Sequence, residues 1–409
     1  MEDGFSIESM RAIHLFNPGY EAAVLSGQVR YTPPVNVQLM RRDLAALPIW
    51  YAEPGDWVWC EAGVEPLLAD FLPADIHPFG QVMTTPTLLQ QMTTGAVCRA
   101  QPWGLSPDSL YRMAQLAQQG AGQIIGTVWK TDYRRLTGRQ TAAVCLSQLR
   151  ALLPEVEWPQ VPVFCSTLAE VNACVTSGKG PYVLKTPYSS SGRGLLWCTE
   201  GLSEKESAWV QGAIRRQGAI SVERGLDKVL DFAMEFQVEE TGAVSYEGLS
   251  LFETAERGAY TGNRLASEAQ LRQTLLNYVE EPLFEQVKQT LSQLLKVLYA
   301  PYYQGYIGVD MLIYRTETGA FAWHPCVEIN MRYTMGLVAL KLAQRLLAEQ
   351  ASGLFQIAYQ KEEGEAYRLH QEAKAAHPLC LKAGRIVKGY LSLCPVTPAT
   401  HYQAYLLIP

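Results

Sequence analysis

Two long apolar runs, GYIGVDMLIY (residues 305–314) and FAWHPCVEINM (residues 321–331), are separated by a turn around Thr318-Gly319, and their pattern constrains this chain more than any other feature. Runs of this length and composition read as adjacent strands of one antiparallel sheet. Side chains alternate along a strand, so Glu328, Asn330 and Arg332 share one face while Val327, Ile329 and Met331 take the other. Asp310 lies between Val309 and Met311, and a hairpin centred near Gly319 sets it across from Glu328 on the same face. Facing carboxylates repel unless a cation lies between them. Two carboxylates and an amide oxygen form a hard-oxygen ligand set that Mg²⁺ accepts when phosphates complete its shell. Arg332 could then hold charge on a transferring phosphoryl group or acyl phosphate. The alternative, a solvated polar face on an edge strand, is at odds with the apolar neighbours.

Upstream, Tyr182 to Lys185 reads as a strand that ends at a lysine and runs into the loop Ser189-Ser190-Ser191-Gly192-Arg193-Gly194, with a returning strand over Leu195 to Cys198. Small residues leave backbone N–H groups free to close over a polyphosphate, and glycine permits close approach. Read alone, the segment is also compatible with a lysine snorkelling beside an ordinary hairpin. Neither G-x-x-x-x-G-K nor G-x-G-x-x-G occurs. The segment SVERGLDKVLDFAMEFQV alternates again, with Asp231, Ala233 and Glu235 on one face. Glu223 to Leu226 before it reads as a hinge able to offer an apolar slot and backbone hydrogen bonds to an adenine, or as plain structure.

The rest of the chain supplies the frame. Its 409 residues point to two or three packed units. Ile13 to Phe16, stopped by Asn17-Pro18-Gly19, and Trp57 to Cys60 read as strands of an α/β domain with a parallel sheet, where His14 and Asn17 face the usual ligand side. Residues 137–152 and 281–299 read as amphipathic helices, and a further helix is expected from Gly336 to Glu349. Segment 361–377 reads as an exposed helix or linker, followed by a short β tail over 385–393 and 402–408.

Composition narrows the partners. A net charge of -6 without a dense Lys/Arg block gives no footprint for nucleic acid or an anionic membrane, and a small molecule is favoured. No apolar run reaches bilayer length, the start MEDGFSIESMR is acidic and polar, and a cytoplasmic location is expected. The nine cysteines contain no C-x-x-C pair and read as reduced, buried thiols, and His324 reads as structural.

In their order and spacing, Lys185 with its loop, the hinge at 223–226 and the Asp310, Glu328-x-Asn330 set resemble the ATP-grasp superfamily over roughly residues 137–350. The resemblance implies an α/β and α+β architecture: an N-terminal open parallel sheet domain (1–125), a linker helix and small lid (126–224), a catalytic α+β unit with an antiparallel sheet (225–360), and a polar segment with a β tail (361–409). It implies ATP contacts from Lys185, Ser189, Ser190, Ser191, Gly192 and Gly194, adenine contacts from Glu223, Arg224 and Leu226, and a ribose contact from Asp231. It implies that Asp310, Glu328 and Asn330 ligate Mg²⁺, with Mn²⁺ as the alternative, and that Arg332 and Lys185 act in catalysis. A further lysine present in many members corresponds most nearly to Arg139, a departure, since the two cations present their charge differently.

The activity implied is carbon–nitrogen ligation: ATP activates a carboxylate as an acyl phosphate, an amine or similar nucleophile displaces phosphate, and ADP is released. Positioning and electrostatics carry such chemistry without a protein nucleophile. A phosphotransferase on the same fold and a non-catalytic nucleotide binder are the other classes to weigh. For the substrate, Arg257, Tyr260, Asn263 and Arg264 stand in what reads as a loop, where an arginine could grip a carboxylate or merely be solvated. A homodimer is compatible with the sequence, which carries no signal for oligomeric state.

Overall fold

The computed structural model describes residues 10–60, 71–178, 180–189, 194–255 and 258–409. The chain divides into two compact units, one taking Met1–Trp129, Gly262–Ser267 and Val338–Pro409, the other Lys130–Thr261 and Glu268–Leu337.

The first unit holds a five-stranded parallel sheet in the order Gln81–Met83, Trp57–Trp59, Ala12–Leu15, Val97–Pro102, Gln123–Ile125. The order reverses at the Ala12–Leu15 strand, the kind of crevice where open α/β sheets bind ligands. Asn17 stands at that point, and its side-chain amide both donates to the Gly104 carbonyl (2.9 Å) and accepts from the Gly104 N–H (3.2 Å), so it is spent on joining two loops. His14 is buried, with Nε2 3.0 Å from Asp56 Oδ2. Ile13, Leu15, Trp57, Met83, Leu88, Met113 and Leu116 form the core, sealed by the Pro107–Gln119 helix, which Ser106 and Ser109 start with reciprocal caps.

The same unit contains a second, antiparallel array, and here the structure corrects two expectations. The Tyr402–Ile408 strand is an inner strand, paired with Gly353–Tyr359 on one side and Arg385–Ser392 on the other, rather than part of an appended tail. Asp43 Oδ2 accepts the N–H groups of His401 (2.8 Å) and Tyr402 (2.9 Å), and Trp50 Nε1 donates to the Leu393 carbonyl (2.6 Å). Tyr260, Asn263 and Arg264, read as loop residues, lie on the Tyr260–Leu265 strand, of which residues 262–265 pair with Gly353–Tyr359. Gly262 is what admits that pairing: a Cβ there would stand 2.5 Å from the Phe355 carbonyl oxygen. The segment's polarity hid its strand character, which comes from tertiary pairing rather than propensity.

In the second unit the Arg139–Leu152 helix precedes a four-stranded antiparallel sheet in the order Val163–Cys165, Ile220–Arg224, Tyr182–Lys185, Leu195–Cys198. Its core of Val171, Val175, Leu184, Val210, Ala213 and Ile220 is shared with the Leu168–Thr176 and Glu204–Gln217 helices, both opened by capping boxes. Four longer antiparallel strands follow in the order Phe321–Asn330, Gly305–Arg315, Asp227–Val238, Val244–Thr254. The Glu281–Leu298 helix buries Phe284, Val287, Leu291 and Leu295, the stripe its 3.6-residue spacing predicts. All nine cysteines are free; seven are buried as expected, while Cys174 is half-buried and Cys380 exposed. Among the described residues no helix is long and apolar enough to cross a membrane.

Phe284 is wholly buried with Arg272 over its ring. Phe284→Ala is expected to lower the unfolding free energy by about 3–5 kcal/mol, read from urea denaturation followed by circular dichroism. A loss below about 1 kcal/mol would mean the helix stripe is not the packing core of this unit.

Candidate active site

The hairpin of Gly305–Arg315 and Phe321–Asn330 pairs Asp310 with Glu328 and Gly308 with Asn330, so the two acidic side chains stand directly opposite each other. Beyond them the register shifts: Leu312 pairs with His324, and Pro325, Cys326 and Val327 bulge out opposite Met311. Proline cannot donate to the ladder, which makes it the natural place for this irregularity. On its other side the Gly305–Arg315 strand pairs Asp310 with Ala233 and Gly308 with Glu235. Three carboxyl groups therefore cluster on one sheet face.

Their electrostatics are severe. Burial, then the charges of Glu328 and Glu235, push the Asp310 carboxyl well above the usual range, with Arg332 and the Asn330 hydrogen bond opposing. Glu235 is fully buried and rises to about 7, burial outweighing the hydrogen bond from Thr334 and the charge of Arg332. The compensating cations are arginines. Arg139 Nη1 lies 3.1 Å from Glu328 Oε2. Arg332 donates from Nη2 to Asn330 Oδ1 at 2.9 Å and from Nη1 to the Tyr333 carbonyl at 3.0 Å. The regular strand ends at Asn330, and the Arg332 N–H donates to the Asn330 carbonyl, so the arginine curls back over the amide instead of continuing the pleat.

Lys185 sits at the end of its strand, buried, with Nζ 2.5 Å from Glu223 Oε2, and Ser221 donates to the other Glu223 oxygen at 3.1 Å. Burial raises the Glu223 carboxyl, but the Lys185 charge and hydrogen bond win, aided by His324 and Arg139, and hold it below the ordinary value. Arg139, the first residue of its helix, also donates to the Thr186 carbonyl (3.2 Å) and to Ser189 Oγ (3.3 Å). One guanidinium thus joins the base of the small-residue loop to Glu328. Gly194 closes that loop at φ 72°, and a Cβ there would meet Thr186 Oγ1 at 2.2 Å, so only glycine fits. Ser190, Ser191, Gly192 and Arg257 lie outside the described residues.

Among the other residues singled out from the sequence, Asp231 accepts from Thr254 (2.8 Å) and is paired with Lys228 (2.5 Å). The Arg224 guanidinium lies 5.6 Å from the Tyr182 ring centre, and Gly225, before Leu226, donates to the Pro181 carbonyl. Tyr260 is half-buried, and desolvation drives its hydroxyl well above the usual value. Asn263 and Arg264 belong to the other compact unit.

Sequence reasoning gave no role to three residues that the structure brings to this region. Glu235 was legible as an acidic residue on the Asp231 face, but nothing local signalled its full burial. Thr334, which donates to Glu235 Oε1 at 2.8 Å, carried no signal at all. His324 lies close enough to the Lys185 and Glu223 pair to feel both charges: burial drives its imidazole down to about 4, with Glu223 opposing and Lys185 assisting. Its Nδ1 accepts from the Cys326 N–H at 3.4 Å, which suits the neutral ring.

A magnesium ion fits the donor set. Asp310, Glu328 and Asn330 are hard-oxygen donors, and the mutual repulsion that lifts Asp310 is what a divalent cation relieves. Asn330 turns its amide nitrogen to Asp310 (3.0 Å) and its oxygen to Arg332, so ligation by that oxygen entails turning the amide over. Among the described residues no group of three or more His, Cys, Asp or Glu is arranged to hold a metal, so water and substrate oxygens would complete the shell.

Neither a family model nor a curated protein matches the sequence. Solved structures do match along nearly the whole chain. Biotin carboxylase from Campylobacter jejuni, solved as a β,γ-ATP complex, is similar at 9% identity and a TM-score of 0.51, covering 97% of this chain and 87% of that one. The biotin carboxylase domain dimer of 2-oxoglutarate carboxylase from Hydrogenobacter thermophilus, in complex with MgADP, ADP and bicarbonate, is similar at 10% identity and a TM-score of 0.50, covering 97% and 86%. N5-carboxyaminoimidazole synthetase from Staphylococcus aureus follows at 10% identity and a TM-score of 0.47, covering 98% and 93%. The fold of this chain is ATP-grasp-like: a parallel five-stranded sheet, a small antiparallel sheet and a large antiparallel one.

The His324 shift carries a pH signature. Its folded value lies below the ordinary 6.5, so between about 6.5 and 4 the unfolded chain binds more protons, and stability falls as pH drops through that window. His324→Gln is expected to flatten that fall in urea titrations across the window, whereas an unchanged slope would mean the buried ring is not kept neutral.

Proposed function

We propose that the protein is a Mg-ATP-dependent, cytoplasmic ligase that activates a carboxylate as its acyl phosphate and joins it to an amine or similar nucleophile, releasing ADP and phosphate. The observation that carries the reading is the register pair of Asp310 and Glu328, flanked by Asn330 and Arg332. An ATP-grasp-like frame that also sets Lys185 and Arg139 around Glu223 and Glu328 supports it.

In this reading residues 126–224 form a linker helix and the lid, and 225–360 the catalytic subdomain. Lys185 and Arg139 neutralise phosphate oxygens, Glu223 holding the lysine's ammonium in place and Glu328 the guanidinium. The loop from Ser189 to Gly194 covers the phosphates, the backbone of Glu223 to Leu226 meets the adenine, and Asp231 takes the ribose hydroxyls. Asp310, Glu328 and Asn330 hold magnesium, which when bound screens the charge on the terminal phosphates. Arg332 faces the phosphoryl group as it passes to the substrate carboxylate, where charge on its oxygens builds up. Each of these residues binds or orients, and none forms a bond to substrate.

The test begins with a thermal-shift screen of Mg-ATP against amino acids, small peptides and hydroxy acids, since a ligand of the folded form raises its stability. With an active pair in hand, product analysis should give ADP, free phosphate and a new amide. A phosphorylated product without phosphate release would instead make the enzyme a phosphotransferase. Glu328→Gln should cut turnover by at least about a hundredfold while the protein stays folded, and normal turnover would remove Glu328 from the metal site. Lys185→Ala should weaken ATP binding by about 1–3 kcal/mol, measured calorimetrically, and unchanged affinity would take Lys185 out of the phosphate contacts.

A further inference from the structure

Glu235 is a carboxylic acid with 1% of its surface exposed, set under the candidate site on the Asp227–Val238 strand. Its Oε1 accepts from Thr334 Oγ1 at 2.8 Å and, at 3.5 Å, from Ser250 Oγ, while its Oε2 has no hydrogen-bond partner. A buried acceptor left in this condition costs stability, so its persistence calls for an explanation. The walls around it are shaped for the carboxyl. A Cβ on Gly308 would stand 2.9 Å from Oε2, and one on Gly336 would stand 2.3 Å from Oε1. Two bare backbones are therefore required for Glu235 to be where it is.

What the carboxyl grips is the start of the Met335–Leu346 helix. Thr334 Oγ1 donates to Glu235 and accepts from the Leu337 N–H at 2.9 Å, so one hydroxyl both caps the helix start and ties that first turn to the sheet. A carboxylate at a helix N-terminus is also favoured by the helix dipole. Thr334 is two residues from Arg332, and the turn between them is held at both ends: by the Arg332 contacts to Asn330 and Tyr333, and by the Thr334 contact to Glu235. The Arg332 charge in turn acts on Glu235.

We propose that Glu235 is a positioning residue, which through Thr334 and the capped helix start fixes the turn that carries Arg332 and so sets where that guanidinium meets the terminal phosphate of a bound nucleotide. The proposal rests on the reading of the site given above, in which Arg332 faces the terminal phosphate. Glu235 itself touches no substrate. A residue that serves only to cap the helix would, when altered, lower the melting temperature and weaken all nucleotides alike or none. A residue that places Arg332 would change the preference for a triphosphate over a diphosphate.

The experiment measures dissociation constants of the full chain for Mg-AMPPNP, a non-hydrolysable triphosphate, and for Mg-ADP by calorimetry, with melting temperatures recorded alongside. Arg332→Ala sets the scale and should weaken AMPPNP relative to ADP by about tenfold or more. Glu235→Ala and Thr334→Val should reproduce that selective loss at about three- to tenfold, while Thr334→Ser, which keeps the hydroxyl, should restore the wild-type ratio. Thr334→Val preserves the side-chain shape and serves where Glu235→Ala does not fold. Wild-type ratios in Thr334→Val, with Arg332→Ala selective, would overturn the positioning role and leave the site reading standing. A wild-type protein that binds neither nucleotide would overturn both.

Discussion

Everything at the candidate site follows from one unfavourable contact: two carboxyl groups, Asp310 and Glu328, forced opposite each other by strand register, with a third, Glu235, one pleat away on the neighbouring strand. Sheet pairing leaves these side chains no freedom to separate, so the surrounding structure must supply positive charge or protons. It supplies two guanidinium groups. Arg139 comes from a helix start and reaches Glu328, and Arg332 folds back from the strand end over Asn330. The Arg139–Glu328 pair is partly shielded from water, with its guanidinium 9% and its carboxylate 23% exposed, so breaking it by removing one partner costs more than its presence contributes, and it acts chiefly to fix geometry.

The second cluster obeys a similar logic with the signs arranged differently. Lys185 and Glu223 neutralise each other, and the nearby buried imidazole of His324 stays uncharged at neutral pH. Because Arg139 contacts both the loop after Lys185 and Glu328, the two clusters share a side chain, and a charge arriving at either is felt at the other. That coupling would serve the proposed Mg-ATP site, whose ligand brings several negative charges and a divalent cation together.

Much of this was legible in the sequence because strands print their faces in period two. Asp310 between Val309 and Met311, and Glu328 and Asn330 among Val327, Ile329 and Met331, announced both the hairpin and the direction of its polar groups. The helix at Glu281–Leu298 was equally plain from its leucine spacing. What was not legible is what distant residues decide. Arg139 looked like a phosphate ligand, but nothing near it in the chain names Glu328 as its partner. His324 read as structural because the bulge at Pro325, which returns it to register with Leu312, has no signature beyond a proline. Tyr260 to Arg264 looked like loop because its strand identity is conferred by backbone pairing, and Thr334 has meaning only once a helix begins beside a buried acid.

The long-range ties of the first unit have a consequence for how the protein is made. Asp43 is separated by 358 residues from His401, whose N–H it accepts, and Trp50 by 343 from the carbonyl of Leu393. A ribosome adding about 5–20 residues per second leaves those early groups waiting many seconds for their partners. Until the late strands emerge, the Asp43 carboxylate has only its neighbour Arg42 and the Trp50 indole lacks its carbonyl acceptor. These two contacts of the unit can therefore form only after residues 393–402 have been made.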